Sequence, residues 1–496
     1  MSSPLELSHD ARTRLGREAL ELVLRWFEDA ARTPIYPRVA AEALKARFDE
    51  PLPREPGDAS AVIDAVAARI APAGRNNNHP RMFGYVASPA EFTAVLGDFL
   101  ASALNQNVTS WRSSPGATTI EHVVIRWMAE MVGYPTDAGG LLVSGGSMAN
   151  LTGLVVALRS QAGVDLNRDG LRALRAEPVF YASPLVHMSI GKALQLLGLG
   201  HGALTKVRVT DALQLDVSAL EQAIAADRAA GKLPVAVVAN AGDVNAGVVD
   251  PLAAIVEVCA RHGVWCHVDG AYGGFAAMAT SAAPLFAGLS RVDSLSLDPH
   301  KWLFAPIDAG CLLVRDSSRL SSAFVEADDY VSVLGGPSDF AYWDRGLELS
   351  RRFRALKIWM MLKTHGASRF AATIDANLRQ ARALAALVDA APDFERLAPV
   401  PLGIVCFRYV PPALRAVLAS GDPEGTMTVN AELDRLNRAI AVEIQRGGYE
   451  TYVSNTTMAG AFALRCCLTN YRTTDDDLPL VLEAVRDAAR HVWPST

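Results

Sequence analysis

Cysteine is scarce: six in 496 residues. No pair of them has the C-x-x-C spacing of a zinc site, and so few thiols make no disulfide framework. Cys466 and Cys467 are adjacent, and Cys259 and Cys266 are seven apart. The expectation is buried free thiols, no metal and a reducing cytoplasm. No uninterrupted apolar run reaches the ~18 residues of a membrane span. The start, Met1-Ser-Ser-Pro-Leu-Glu-Leu7, lacks the basic and apolar regions of a signal peptide. Basic runs and arginine stripes are absent too. With a formal net charge of −6 there is no electrostatic reason to expect nucleic acid or an anionic membrane as a partner. Internal repeats and long low-complexity stretches are also missing.

What is present is a soluble, globular composition, 50% hydrophobic and 20% charged. Residues 1–80 read as a helical arm: Ala11 to Ala31 carries apolar residues at helical spacing, and Thr33-Pro-Ile-Tyr-Pro37 breaks it. Such an arm has little core of its own. Residues 81–384 alternate short apolar runs with helical patterns. The runs include Gly140-Leu-Leu-Val-Ser144, Val235-Ala-Val-Val-Ala239, Val264-Trp-Cys-His-Val268 and Gly310-Cys-Leu-Leu-Val314. That alternation predicts an α/β domain with a mostly parallel central sheet flanked by helices. Residues 385–496 read as a smaller α+β domain. In parallel sheets, ligands bind beyond the carboxyl ends of the strands.

The chemical candidates sit at such strand ends. Asp269 closes the run in His267-Val-Asp-Gly-Ala-Tyr272, and Lys301 lies in Ser294-Leu-Ser-Leu-Asp-Pro-His-Lys-Trp302. A lysine amine and a carboxylate in this arrangement fit pyridoxal phosphate. The amine forms a Schiff base with the cofactor aldehyde, and the carboxylate pairs with the protonated pyridine nitrogen. Ser144-Gly-Gly-Ser-Met-Ala-Asn150 runs from a strand into a helix, so Gly145, Gly146 and Ser147 can cradle a phosphate. It is neither a Walker loop nor a Gly-x-Gly-x-x-Gly fingerprint. Ser294 is a second candidate phosphate donor.

Together these segments resemble the pyridoxal-phosphate-dependent amino-acid decarboxylases of the aromatic L-amino-acid decarboxylase type, of fold-type I. The resemblance covers nearly the whole chain. It also takes in His79-Pro-Arg-Met-Phe-Gly-Tyr85, Ser110-Trp-Arg-Ser-Ser-Pro115, Ser183-Pro-Leu-Val-His187, Arg351-Arg-Phe-Arg-Ala-Leu-Lys357 and Asn470-Tyr-Arg-Thr-Thr474. It implies that Lys301 holds the cofactor and Asp269 its ring nitrogen. His187 would stack on one ring face, Ala271 on the other, and His300 would lie beside the phosphate. It further implies that Tyr330, in a Gly- and Pro-containing loop, covers the site and protonates the substrate carbon. Family members with phenylalanine there tend toward oxidative deamination. A homodimer with shared active sites is implied as well.

The family's substrate positions fall on Tyr85, Val86, Ser88, Asn107, Thr109 and Trp111. Val86-Ala87 replaces the usual Phe-Pro, and Asp243 replaces a hydroxyl. These departures leave the cofactor chemistry intact and open the substrate question. The primary expectation is an aromatic L-amino acid, with Phe83, Tyr85 and Trp111 lining a flat pocket. The alternatives are an aldehyde synthase, or a decarboxylase of glutamate or diaminobutyrate.

Overall fold

The computed structural model describes residues 3, 5–325, 340–420 and 423–493. Seven apolar runs become strands of one sheet: β1 (Gly139–Val143), β2 (Pro178–Ala182), β3 (Leu204–Lys206), β4 (Leu233–Asn240), β5 (Trp265–Gly270), β6 (Ser294–Leu297) and β7 (Gly310–Val314). Their spatial order is β1-β7-β6-β5-β4-β2-β3. Neighbours from β6 through β3 are parallel, while β7 is antiparallel to both β6 and β1. Helices cover both faces. This is why β4 is buried from Pro234 to Asn240 and β5 along its whole length.

Small residues let the helix Gly146–Gln161 come close to the sheet. At Gly153 a Cβ would lie 2.8 Å from the His267 ring, so only glycine fits against that histidine. The first helix, His9–Glu28, is capped by Ser8 Oγ and has no buried residue. Its apolar stripe therefore finds little cover within its own chain.

A second, four-stranded antiparallel sheet follows: β8 (Phe394–Arg396), β9 (Ile404–Tyr409), β10 (Ser454–Met458) and β11 (Ala461–Cys467), in the order β10-β11-β9-β8. The helices Pro423–Gly447 and Pro479–Val492 pack on it around Phe407, Leu464 and Val485. The helix Ala355–Ala390 belongs to both cores and bends at Gly366, whose φ is 70°. Ile358 and Met361 lie in the core of the large sheet, Leu384 and Val388 in that of the small one. The division expected near residue 384 thus falls inside a helix.

Phe83 corrects one expectation. Its N–H donates to Tyr452 O at 2.9 Å, and its carbonyl accepts from Cys467 N at 2.8 Å. The ring is fully buried in the core of the small sheet. Burial of a phenylalanine contributes about 3 kcal/mol, so Phe83 anchors its segment in the small sheet's core and is not in the wall of the active-site cavity.

Candidate active site

A cavity of about 570 Å³ opens at the carboxyl ends of β1, β4, β5 and β6, where the small sheet meets the large one. Its wall includes Gly145, Gly146, Ser147, His187, Asp269, Ala271, His300 and Lys301, and also Tyr85 and Val86. Ten of the residues singled out from the sequence therefore meet in one place.

The glycines are there because backbones touch. A Cβ on Gly146 would lie 2.7 Å from Ala271 Cβ and 2.9 Å from Asp298 Oδ2. A Cβ on Gly310 would come 2.5 Å from Gly145 Cα. The helix that starts at Gly146 has no side-chain cap. Its first amides and its dipole can therefore serve an anion. His300 lies against this turn, its Cε1 3.3 Å from an ideal Cβ on Gly145, and its Nδ1 is 2.6 Å from Ala309 O.

Asp269 is buried, and both its oxygens are held. Oδ2 accepts from Asn150 Nδ2 at 2.8 Å, and Oδ1 from Ala271 N at 3.1 Å and Ser296 Oγ at 3.3 Å. Lys301 Nζ lies 2.9 Å from Asp298 Oδ2, while Asp298 Oδ1 is buried without a partner among the described residues. His187 caps the helix Met188–Leu196, its Nδ1 accepting from Ser189 N at 3.2 Å. Burial lowers its pKa below the ordinary histidine value, favouring the neutral ring.

The Arg351-Arg-Phe-Arg-Ala-Leu-Lys357 segment lies behind the site. Arg351 pairs with buried Glu121 and donates to Leu142 O at 2.7 Å. Arg354 holds Asp308 at 3.2 Å, and Lys357 donates to Pro306 O at 2.8 Å. These bonds fix β1 and the loop that follows Lys301.

Several site residues need correction. Ser294 does not reach the cavity. It stands opposite His267 on β6, two residues before Ser296, which stands opposite Asp269. Two residues of strand are about 7 Å, and the Ser294 hydroxyl bonds instead to Trp265 Nε1 and His267 Nδ1. Ser88 lines a neighbouring hollow beneath the N-terminal helix. Asn107, Thr109 and Trp111 are not in the cavity wall of their own chain either. Asn107 Oδ1 accepts from Arg351 N at 2.8 Å, and the Thr109 and Trp111 backbones pair with Tyr342 and Phe340. Tyr330 lies outside the described residues.

Three contributors were not read from the sequence. Asn150 and Ser296 hold Asp269. Arg465 comes from β11 and lines the cavity while only 3% exposed. Its Nη1 donates to Tyr85 O at 2.9 Å and its Nε to Asn245 O at 3.2 Å. Its Nη2 is buried without a partner among the described residues. The signal was available: a lone cation in an otherwise apolar strand. Asp243 also lines the cavity, but its carboxylate accepts from the amides of Asn245, Ala246 and Val248 and so shapes a turn.

The donor set suits pyridoxal phosphate. It comprises an amine, a buried carboxylate, a glycine turn at a helix start for the phosphate, and the flat ring of His187 and the small methyl of Ala271 in the wall. The cavity of about 570 Å³ gives the group room, and the unpartnered Asp298 Oδ1 adds polarity beside Lys301.

Comparisons with known proteins agree. A family model described as the pyridoxal-dependent decarboxylase conserved domain matches residues 41–410. The aromatic-L-amino-acid decarboxylase of Bacillus atrophaeus is 34% identical over 494 residues, covering 99% of this chain and 98% of that protein. A phenylacetaldehyde synthase of a Rosa hybrid cultivar is 28% identical, covering 96% and 93%. The crystal structure of Oryza sativa TDC with PLP and tryptamine superposes with a TM-score of 0.88 at 26% identity, covering 99% of this chain and 100% of that one.

Proposed function

Because the chain belongs to the pyridoxal-dependent decarboxylase family, we propose that its cavity removes CO₂ from an aromatic L-amino acid to give the amine. The carrying observation is the convergence of Lys301, Asp269 and the Gly145-Gly146 helix start on one cavity. The protein is a pyridoxal-phosphate-dependent carboxy-lyase; the substrate and the residue roles are our reading.

When bound, pyridoxal phosphate supplies an electron sink for the pair left behind as CO₂ departs. The chain's residues do the rest. Lys301 Nζ would hold the cofactor and release it to the substrate amine. Asp269, fixed by three donors, would face the ring nitrogen. Gly145, Gly146 and Ser147 would hold the phosphate, with His300 beside them, and His187 and Ala271 would pack on the two faces of the ring. Arg465 Nη2, buried and unused, offers a charged donor to a substrate carboxylate. Tyr330 is the acid that returns a proton to the substrate carbon. Tyr85 and Val86 face the substrate.

An aromatic side chain fits the exposed ring of Tyr85, which is backed by Tyr452 and by Arg75 at 4.8 Å. The relatives, an aromatic-L-amino-acid decarboxylase and a phenylacetaldehyde synthase, point the same way. Homodimerisation is supported by the exposed apolar residues Leu20 and Leu24 on the first helix. Asn107, Thr109 and Trp111 would then meet the cavity of the partner protomer. Six buried free cysteines suit a cytoplasmic setting.

A second reading is oxidative deamination to an aldehyde, favoured by the similarity to the rose synthase. Tyr330 favours the amine. The test is CO₂ release from the twenty amino acids plus dopa, 5-hydroxytryptophan and diaminobutyrate, with amine, aldehyde and ammonia quantified. Amine from tryptophan, tyrosine or phenylalanine supports the proposal. Turnover of glutamate or diaminobutyrate alone overturns the aromatic assignment.

A further inference from the structure

Behind Asp269 a file of buried polar side chains runs away from the cavity. Trp265, His267 and Asp269 alternate along β5 and so share one face of the sheet. Ser294 stands opposite His267 on β6, and Asn150 reaches down from the helix Gly146–Gln161. The distances are continuous. Trp265 Nε1 is 2.8 Å from Ser294 Oγ, which is 2.8 Å from His267 Nδ1. His267 Nε2 is 3.0 Å from Asn150 Oδ1, and Asn150 Nδ2 is 2.8 Å from Asp269 Oδ2 and 3.0 Å from Ser189 Oγ. Ser189 Oγ is in turn 2.9 Å from His187 Nδ1.

The direction of this chain follows from the chemistry of its ends. An indole N–H can only donate. Ser294 therefore accepts from Trp265, and the carboxylate end sets the rest. Asp269 can only accept, so it takes the NH₂ end of Asn150, and Asn150 Oδ1 faces His267 Nε2 as an acceptor. Neutral His267 then carries its proton on Nε2 and accepts at Nδ1, so the Ser294 hydroxyl donates there. The far end is fixed independently: Ser189 N donates to His187 Nδ1, so the Ser189 hydroxyl accepts from Asn150 and donates to His187. Trp265, Ser294, His267, Asn150, Asp269 and Ser189 are all buried, and a Cβ on Gly153 would lie 2.8 Å from the His267 ring.

We propose that Trp265, Ser294, His267 and Asn150 form a one-way hydrogen-bond chain that holds the donor end of the Asn150 amide against Asp269, so that His267 and Asn150 are positioning residues for the carboxylate and, through Ser189, for His187. The chain rests on the reading of Asp269 as the partner of the cofactor ring. It gives one amide control of the two groups that flank the ring. Burial holds the His267 pKa down at about 4, which keeps the ring neutral at physiological pH as the chain requires.

The test uses the full-length protein with and without pyridoxal phosphate. In the cofactor-free wild type, ¹⁵N-histidine NMR should show His267 as a single Nε2–H tautomer with a slowly exchanging proton. An Nδ1–H tautomer overturns the proposal outright. His267→Leu should fold, yet bind pyridoxal phosphate about tenfold more weakly, the loss expected for one buried bond serving a charged group. His267→Gln, which restores an N–H near the Nε2 position, should recover affinity to within about threefold of wild type. Equal losses in both variants mean a packing role and defeat the proposal. Should His267→Leu fail to fold, Ser294→Ala serves. It should broaden or split the His267 tautomer signal and weaken cofactor binding, whereas an unchanged signal and affinity would overturn the chain. Asp269→Asn is the control for the underlying reading. If it binds the cofactor with the wild-type affinity and spectrum, the assignment of Asp269 fails, independently of the tautomer result.

Discussion

Lys301 and Asp298 are ion-paired at 2.9 Å, and Asp298 is 1% exposed. The ammonium is thus the charge partner of a buried carboxylate as well as the amine awaiting the cofactor. Lys301→Ala should abolish turnover and lower the stability of the cofactor-free protein, because removal of one partner strands the other. The stability loss should approach ~3 kcal/mol, the lower end for buried pairs. Adding Asp298→Asn should restore much of the melting temperature and none of the CO₂ release. Calorimetry of the three cofactor-free proteins, alongside the assay, checks both halves.

Arg465 has a buried, unused Nη2 in the cavity wall. Arg465→Met should raise KM for the amino acid about tenfold or more, the typical cost of a charge-assisted bond. Cofactor affinity should stay near wild type, since no cradle residue touches the guanidinium. Arg465→Lys should recover only part of the loss, because a point charge replaces a fork. Steady-state kinetics with a parallel cofactor titration separates the two effects.

Tyr330→Phe keeps the ring and removes the phenol. Amine formation should slow, and aldehyde, ammonia and peroxide should appear, with oxygen as co-reactant. Product analysis under air and under nitrogen decides the point. Unchanged amine yield with no aldehyde would assign the proton to another group.

His79 is buried, and its pKa is lowered to about 4, chiefly by desolvation. The unfolded chain, with an ordinary histidine near 6.5, binds more protons between these values. Stability should therefore rise with pH from about 4 to about 6.5, where this contribution is complete, and fall as acid is added. His79→Asn keeps an acceptor for the Arg81 amide, which now donates to His79 Nδ1 at 3.1 Å. It should flatten that part of the stability profile, as urea melts across the window will show.

Most of the fold was legible because fully buried parallel strands announce themselves as unbroken apolar runs, as β4 and β5 do. The places of Asp269 and Lys301 in the cavity wall were legible because Asp269 lies near the end of one such run and Lys301 four residues past the end of another. Ser294 misled for a specific reason. Serines alternate at 294 and 296, and only the pairing of β6 with β5 tells which one stands opposite Asp269. Phe83 and Arg465 were hidden because their places depend on the small sheet folding back onto residues 81–85, a contact across more than three hundred residues. Asn107, Thr109 and Trp111 follow one another at alternate positions, yet no local pattern reveals that Asn107 bonds Arg351 while the Thr109 and Trp111 backbones pair with Tyr342 and Phe340.

The stitching of residues 82–85 onto β11 and Tyr452 has an evolutionary corollary. Tyr85 and Arg465 are held by the segment and strand that the small sheet brings in, Lys301 and Asp269 by the strand ends of the large one. Drift around the small sheet can retune which amino acid is accepted while the large one keeps the same reaction. A chimera that swaps residues 81–86 together with 391–493 should therefore inherit the donor's substrate preference as a unit, whereas a swap of either segment alone would break the seam that joins them.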